Sequence, residues 1–116
     1  MNPTPHRSTL ERLQKSMATL GENAPDVMSA FGQLHQSAVK AGVLDTRTKE
    51  LIALAIAITV RCHGCIAFHV HDAIEAGASR DEVIETIGVA VLMGGGPSMV
   101  YGCEAFEALE EFTAAG

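Results

Sequence analysis

Two cysteines and a histidine, Cys62, Cys65 and His69, stand in the pattern C-x-x-C-x-x-x-H. At about 100° per residue, a helix puts Cys65 one turn beyond Cys62 and His69 one turn beyond Cys65, so the three share a side. A helix that begins near Cys62 offers unpaired N–H groups and the positive end of its dipole, which favour a thiolate, while His69 can take or hold a thiol proton. One cysteine of such a pair attacks. The other closes the adduct into a disulfide if the Cα atoms lie roughly 4.4–6.8 Å apart. Glu50 adds an acid or base, but on one unbroken helix it sits about 120° around from Cys62 and misses it. The chemistry therefore requires a break near Arg61 that folds the chain back and brings Glu50 to His69 and the cysteines. A carboxylate buried there has to be paired or hydrogen-bonded, which suits it to a proton relay.

Other chemistries compete for the same residues. Cys62, Cys65 and His69 supply three zinc ligands, with Cys103, His63 or His35 to complete a set of four, although no second cysteine pair exists. A c-type haem needs His directly after the second cysteine, where Ile66 stands, and a thioredoxin-like pair needs flanking strands. Glu50 alone also reads as an ordinary acid in a helix's first turn. His63 and His71 lie off the cysteine stripe and read as surface or interface residues; His6 and His35 read as solvated. Cys103 reads as a small buried hydrophobe. The GGGP run lacks the preceding strand and following Lys of a phosphate cradle and reads as helix termination.

The elements that must position these residues are helices, since no sustained apolar/polar alternation marks a strand. Ser8 and Glu11 stand at capping-box spacing, opening a first helix near Thr9 that Gly21 ends. Pro25 begins a second, to about Lys40, and Asp45 or Thr46 caps a third that carries LIALAIAITV. A fourth starts at RCHGC and ends at Gly77, with Ile66, Val70, Ala73 and Ile74 on its stripe. Ser79 and Glu82 box a fifth, through Ile84, Ile87, Val91 and Leu92 to the break at Gly94–Pro97, and a sixth runs from Met99 to about Phe112. The expected fold is all-α with about six helices, residues 1–24 forming an N-terminal helical arm and 25–116 the domain.

At 116 residues the chain makes one domain. Eight Lys+Arg against fourteen Asp+Glu leave a net charge of −6, with no basic run to engage nucleic acid. The longest apolar stretch, Leu51 to Val60, is about half of a membrane span, so no membrane partner is expected. MNPTPHRSTL lacks the apolar core of a secretory signal, which points to the cytoplasm, where three cysteines suggest redox chemistry or metal rather than permanent staples. The apolar, alanine-rich composition favours a homo-oligomer with the third and last helices at the contacts.

Glu50, Cys62, Cys65 and His69, followed by GAS-x-x-E-V (Gly77 to Val83) and VLMGGGPSMVYG (Val91 to Gly102), together resemble the alkylhydroperoxidase (AhpD)-like core of the carboxymuconolactone decarboxylase family. The similarity covers roughly residues 25 to 112. It implies an all-α fold assembled as trimers or hexamers, and a thiol peroxidase or disulfide reductase activity without cofactor, metal or flavin. On that resemblance Cys65 is the attacking thiol, Cys62 the partner that closes the disulfide, and Glu50 and His69 the proton relay. The implied substrate is a small hydroperoxide, and the implied reductant a thiol or lipoyl-type compound. The peroxidase branch carries His immediately before its second cysteine, whereas this chain has Gly64 there. The decarboxylase branch usually lacks the cysteine pair. Two further readings stand beside the peroxidase: a decarboxylase of small acidic lactones using Glu50 and His69, and a zinc-binding or redox-responsive module without turnover.

Overall fold

The computed structural model describes residues 4–114, so the extreme ends of the expected arm (1–24) and domain (25–116) lie outside the described residues. Six helices follow in order: α1 (Pro5–Asn23), α2 (Pro25–Val39), α3 (Thr46–Thr59), α4 (His63–Glu75), α5 (Arg80–Gly94) and α6 (Gly96–Thr113). No strand occurs among the described residues, and no described helix is long and apolar enough to cross a membrane.

Local chemistry sets most of the boundaries. Pro25 begins α2, and the Asp45 carboxylate caps α3 by accepting from Thr48 N–H at 2.8 Å. Ser79 and Glu82 form a reciprocal capping box at the start of α5. Gly95, at φ +69, turns the chain between α5 and α6 in a region that side chains other than glycine's rarely enter. The first helix departs from expectation: it starts at Pro5, and Ser8 lies inside it rather than capping it. Its free N–H groups are met from across the fold, since His6 N–H and Arg7 N–H both donate to Glu111 Oε1 at 2.9 and 3.2 Å. A tertiary cap of this kind leaves no local sequence signal. The last helix likewise begins earlier than expected, at Gly96, because Pro97 sits in its first turn, where a missing N–H costs nothing.

The core is built where α3, α4, α5 and α6 meet, from Leu54, Ala57 and Ile58 of α3, Ile66, Val70 and Ala73 of α4, Val83 and Ala90 of α5, and Ala105, Ala108 and Leu109 of α6. The many alanines let helix backbones approach closely, so bulk comes from a few fully buried Leu, Ile and Val side chains. The α5 stripe differs from expectation: Val83 and Ala90 face inward, with Ile87 beside them, while Ile84 and Leu92 are exposed. Positions 84 and 92 sit about 100° from 83 and 91, so choosing 83 as the inward position turns them outward. Helix α1 lies against α2, α4 and α6. Helix α2 buries none of its residues.

Candidate functional site

The corner between α3 and α4 builds the site. Arg61 N–H donates to the Ile58 carbonyl and Cys62 N–H to the Ala57 carbonyl, at 3.1 and 3.0 Å, which closes α3 in a Schellman motif. That motif needs a left-handed residue, and Arg61 supplies it at φ +60, a conformation costing a residue with a Cβ about 1–2 kcal/mol. The next residue, Cys62, serves both helices: it completes the C-terminal motif of α3 and is the N-cap of α4, its Sγ accepting Cys65 N–H at 3.3 Å. The break that the sequence demanded near Arg61 is therefore present, and α4 folds back along α3.

Cys62 and Cys65 are joined in a disulfide, with Cα atoms 5.2 Å apart. On the returning helix, His69 Nδ1–H donates to Glu50 Oε1 at 2.8 Å. An ionised carboxylate only accepts, so Nδ1 carries the proton in this bond, and Nε2 is the ring nitrogen that would exchange a proton in the imidazole form. Glu50 is 3% exposed. A carboxylate buried to that degree needs a partner, and His69 provides it. The structure thus brings Glu50 to His69 and sets the disulfide one helical turn before that imidazole. With the sulfurs bonded to each other, neither is a thiolate that could ligate zinc in this state.

Of the remaining sequence candidates, His63, His71, His6 and Cys103 fall elsewhere, and His35 approaches Glu50. His63 directs Nδ1 to Glu104 at 3.1 Å and Nε2 towards Thr9 Oγ1 at 3.4 Å. His71 meets Asp72 at 3.1 Å. His6, expected to be solvated, is buried at 4% exposure between the His63 ring and Glu111, because α1 packs onto α4 and α6. Cys103, expected to be buried, is exposed: the inward stripe of α6 runs through Ser98, Gly102, Ala105 and Leu109, and position 103 lies off it. His35, also expected to be solvated, is half-buried, and one of its ring nitrogens lies near carboxylate oxygens of Glu50 and Asp72. The signal in the sequence for Asp72 is its place three residues after His69 on the same helical side. His35, a possible ligand by residue type, has no spacing that would place it here, since only packing brings α2 to Glu50 and Asp72.

At Gly64, between the cysteines, an added Cβ would stand 2.6 Å from Leu13 Cδ1 of α1, the far end of a side chain that would have to shift.

Fold and site together define a class: a protein helical throughout its described residues, with a C-x-x-C pair one turn before a half-buried histidine that is bonded to a buried glutamate. The profile of the carboxymuconolactone decarboxylase family matches residues 25–108, and the chain belongs to that family. It is similar to a carboxymuconolactone decarboxylase family protein of Legionella pneumophila, crystallised in its apo form, at 44% identity and a TM-score of 0.90, with 93% of this chain and 96% of that one covered. A family protein of Thermotoga maritima, described as a candidate in the antioxidative response, aligns at 27% identity and a TM-score of 0.79 over 90% of this chain and 88% of that one. An uncharacterized protein of Cupriavidus necator is 34% identical over 106 residues, covering 89% of this chain and 94% of that protein.

Proposed function

We propose that this protein is a thiol-dependent hydroperoxide reductase that works through Cys62 and Cys65. The observation that carries the reading is the pairing of buried Glu50 with His69 Nδ1 at 2.8 Å, on the helix whose first turn holds the two joined sulfurs. In the reduced enzyme the Cys65 thiolate attacks the terminal oxygen of a hydroperoxide, the O–O bond breaks, and an alcohol leaves with a proton passed through His69. Cys65 becomes a sulfenic acid. The Cys62 sulfur then attacks Cys65, the S–O bond breaks, and water departs as the disulfide forms. Two thiols and one hydroperoxide thus give one alcohol, one water and one disulfide.

Reduction by a thiol or lipoyl-type dithiol reverses the sulfur chemistry. The reductant attacks Cys65 and expels the Cys62 thiolate, then closes its own disulfide as the cysteines regain their protons. The N-cap position suits Cys62 to leave, because a thiolate there accepts Cys65 N–H and sits at the positive end of α4; a more stable thiolate leaves faster. A cytoplasmic setting suits this cycle, since a reducing compartment keeps such a pair turning over.

Assembly as a trimer or hexamer completes the proposal. Val27, Phe31 and Leu34 of α2, at 69, 57 and 63% exposure, and Ile52 and Ile56 of α3 form apolar surface that a second copy of the chain would cover. Light scattering at micromolar concentration should report an oligomer; a monomer would remove this part of the reading.

The activity is tested with fully reduced protein and one equivalent of an alkyl hydroperoxide. The expected result is one equivalent of alcohol, a Cys62–Cys65 bond located by peptide mass spectrometry, and Cys103 still free. If Cys65→Ser consumes peroxide at the parent rate, Cys65 is not the nucleophile and the mechanism fails. Activity that survives loss of both cysteines would turn the assignment towards acid–base chemistry on a lactone.

A further inference from the structure

We propose that His35, Glu50 and Asp72 form a binding site for a divalent first-row transition-metal cation of the zinc type, built without either sulfur of the C-x-x-C pair. One donor atom from each residue lies within 4.8 Å of the other two. The three come from α2, α3 and α4, so the cluster is a product of helix packing and not of one helix's periodicity. Donors held ~2.0–2.2 Å from a zinc ion lie roughly 3–4 Å from one another, so a small contraction closes the triad around a cation.

The electrostatics of the place call for positive charge. Glu50 is 3% exposed and Asp72 half-buried, and their oxygens face the same small volume. Among the described residues neither carboxylate pairs with Lys or Arg: Glu50 meets His69 through Oε1, and Asp72 meets His71 through Oδ1. The nearby Lys49 ammonium is turned away to the Lys40 carbonyl at 2.6 Å, and Arg47 is taken by Asp45 and Glu82. Each carboxylate therefore keeps a second oxygen for a ligand. The donor set, one imidazole nitrogen and two carboxylate oxygens, suits zinc, cobalt or manganese and disfavours magnesium and calcium, which prefer all-oxygen sites. His69 on Glu50 and His71 on Asp72 would orient the ligating carboxylates from behind, as outer partners of metal ligands do.

The site shares Glu50 with the proposed relay but none of its sulfurs, so cation binding is tested by itself on protein that is not turning over. Tag-free, full-length protein in its disulfide form is titrated with zinc chloride by calorimetry, and with cobalt(II) followed by visible absorption. The expected result is one cation per chain, with cobalt ligand-field bands and no thiolate charge-transfer band. His35→Ala and the near-isosteric Asp72→Asn should each weaken zinc binding about tenfold or more, and the Cys62→Ser/Cys65→Ser double variant should bind as the parent does. Absence of saturable zinc binding would overturn the proposal. So would equal affinity for magnesium, which would mark only a diffuse acidic patch, or zinc binding that persists unchanged in both His35→Ala and Asp72→Asn.

Discussion

Two corners of this molecule are made to one plan and used differently. At the end of α4, Gly77 N–H donates to Ile74 and Ala78 N–H to Ala73, with Gly77 left-handed at φ +96, and Ser79 then caps α5. At the end of α3 the same two bonds form, but Arg61 takes the left-handed place and Cys62 the cap. The α4–α5 corner uses the residues that turn and cap helices at least cost. The α3–α4 corner replaces both with residues less suited to the geometry, and the replaced cap is a sulfur bonded to Cys65. The less favourable residues stand at the corner where the thiol chemistry is proposed, and backbone strain of this kind concentrates at functional sites.

Substitutions can separate the two corners. The largest effect is expected from Cys62→Ser, which keeps a good N-cap but removes the partner sulfur. Peroxide consumption should stop after a single turnover, while urea melts of the reduced protein shift by less than about 0.5 kcal/mol. A large loss of stability would mean that Cys62 holds the corner through more than capping. Glu50→Gln should lower peroxide turnover about 100-fold by disabling the relay through His69, with alcohol release as the readout. At the other corner, Ser79→Ala should cost about 1 kcal/mol in denaturant midpoint and leave turnover alone. Arg61→Gly should do the reverse of Ser79→Ala and stabilise the fold by up to about 1 kcal/mol, since glycine enters the left-handed region freely.

The smallest effect belongs to the α3 cap. Hydrogen bonds from the Thr48 side chain and backbone N–H hold the Asp45 carboxyl below its ordinary pKa. A lowered pKa in the fold means that the contribution is present above the ordinary carboxylate range and is lost as pH falls through the lowered value. Acid titration below about pH 4 should therefore loosen the first turn of α3, and Asp45→Asn, which caps without titrating, should remove that component.

A second contrast lies between the core and the first two helices. Leu54 and Ile58 are fully enclosed, whereas Phe31 and Leu34 face outward on a helix that buries nothing. The sequence shows apolar residues in both places at helical spacings, four apart for Leu54 and Ile58 and three apart for Phe31 and Leu34. It gives the face a helix will bury against something, but not whether that something is the same chain.

What the sequence determined by itself is local. Pro25, Asp45, Gly77 and the Ser79–Glu82 box mark helix ends because their effects act within four or five residues. The phase of Cys62, Cys65 and His69 follows from 3.6 residues per turn, and the need for a break near Arg61 follows from the failure of that same phase at Glu50. What only the tertiary structure decided is everything that depends on how one helix lies across another: the contact of Glu50 with His69, the burial of His6, the exposure of Cys103, the cap that Glu111 lends to α1, and the approach of His35 to Asp72. Those relations are fixed by side-chain packing between segments as much as 105 residues apart, so no window along the chain contains them.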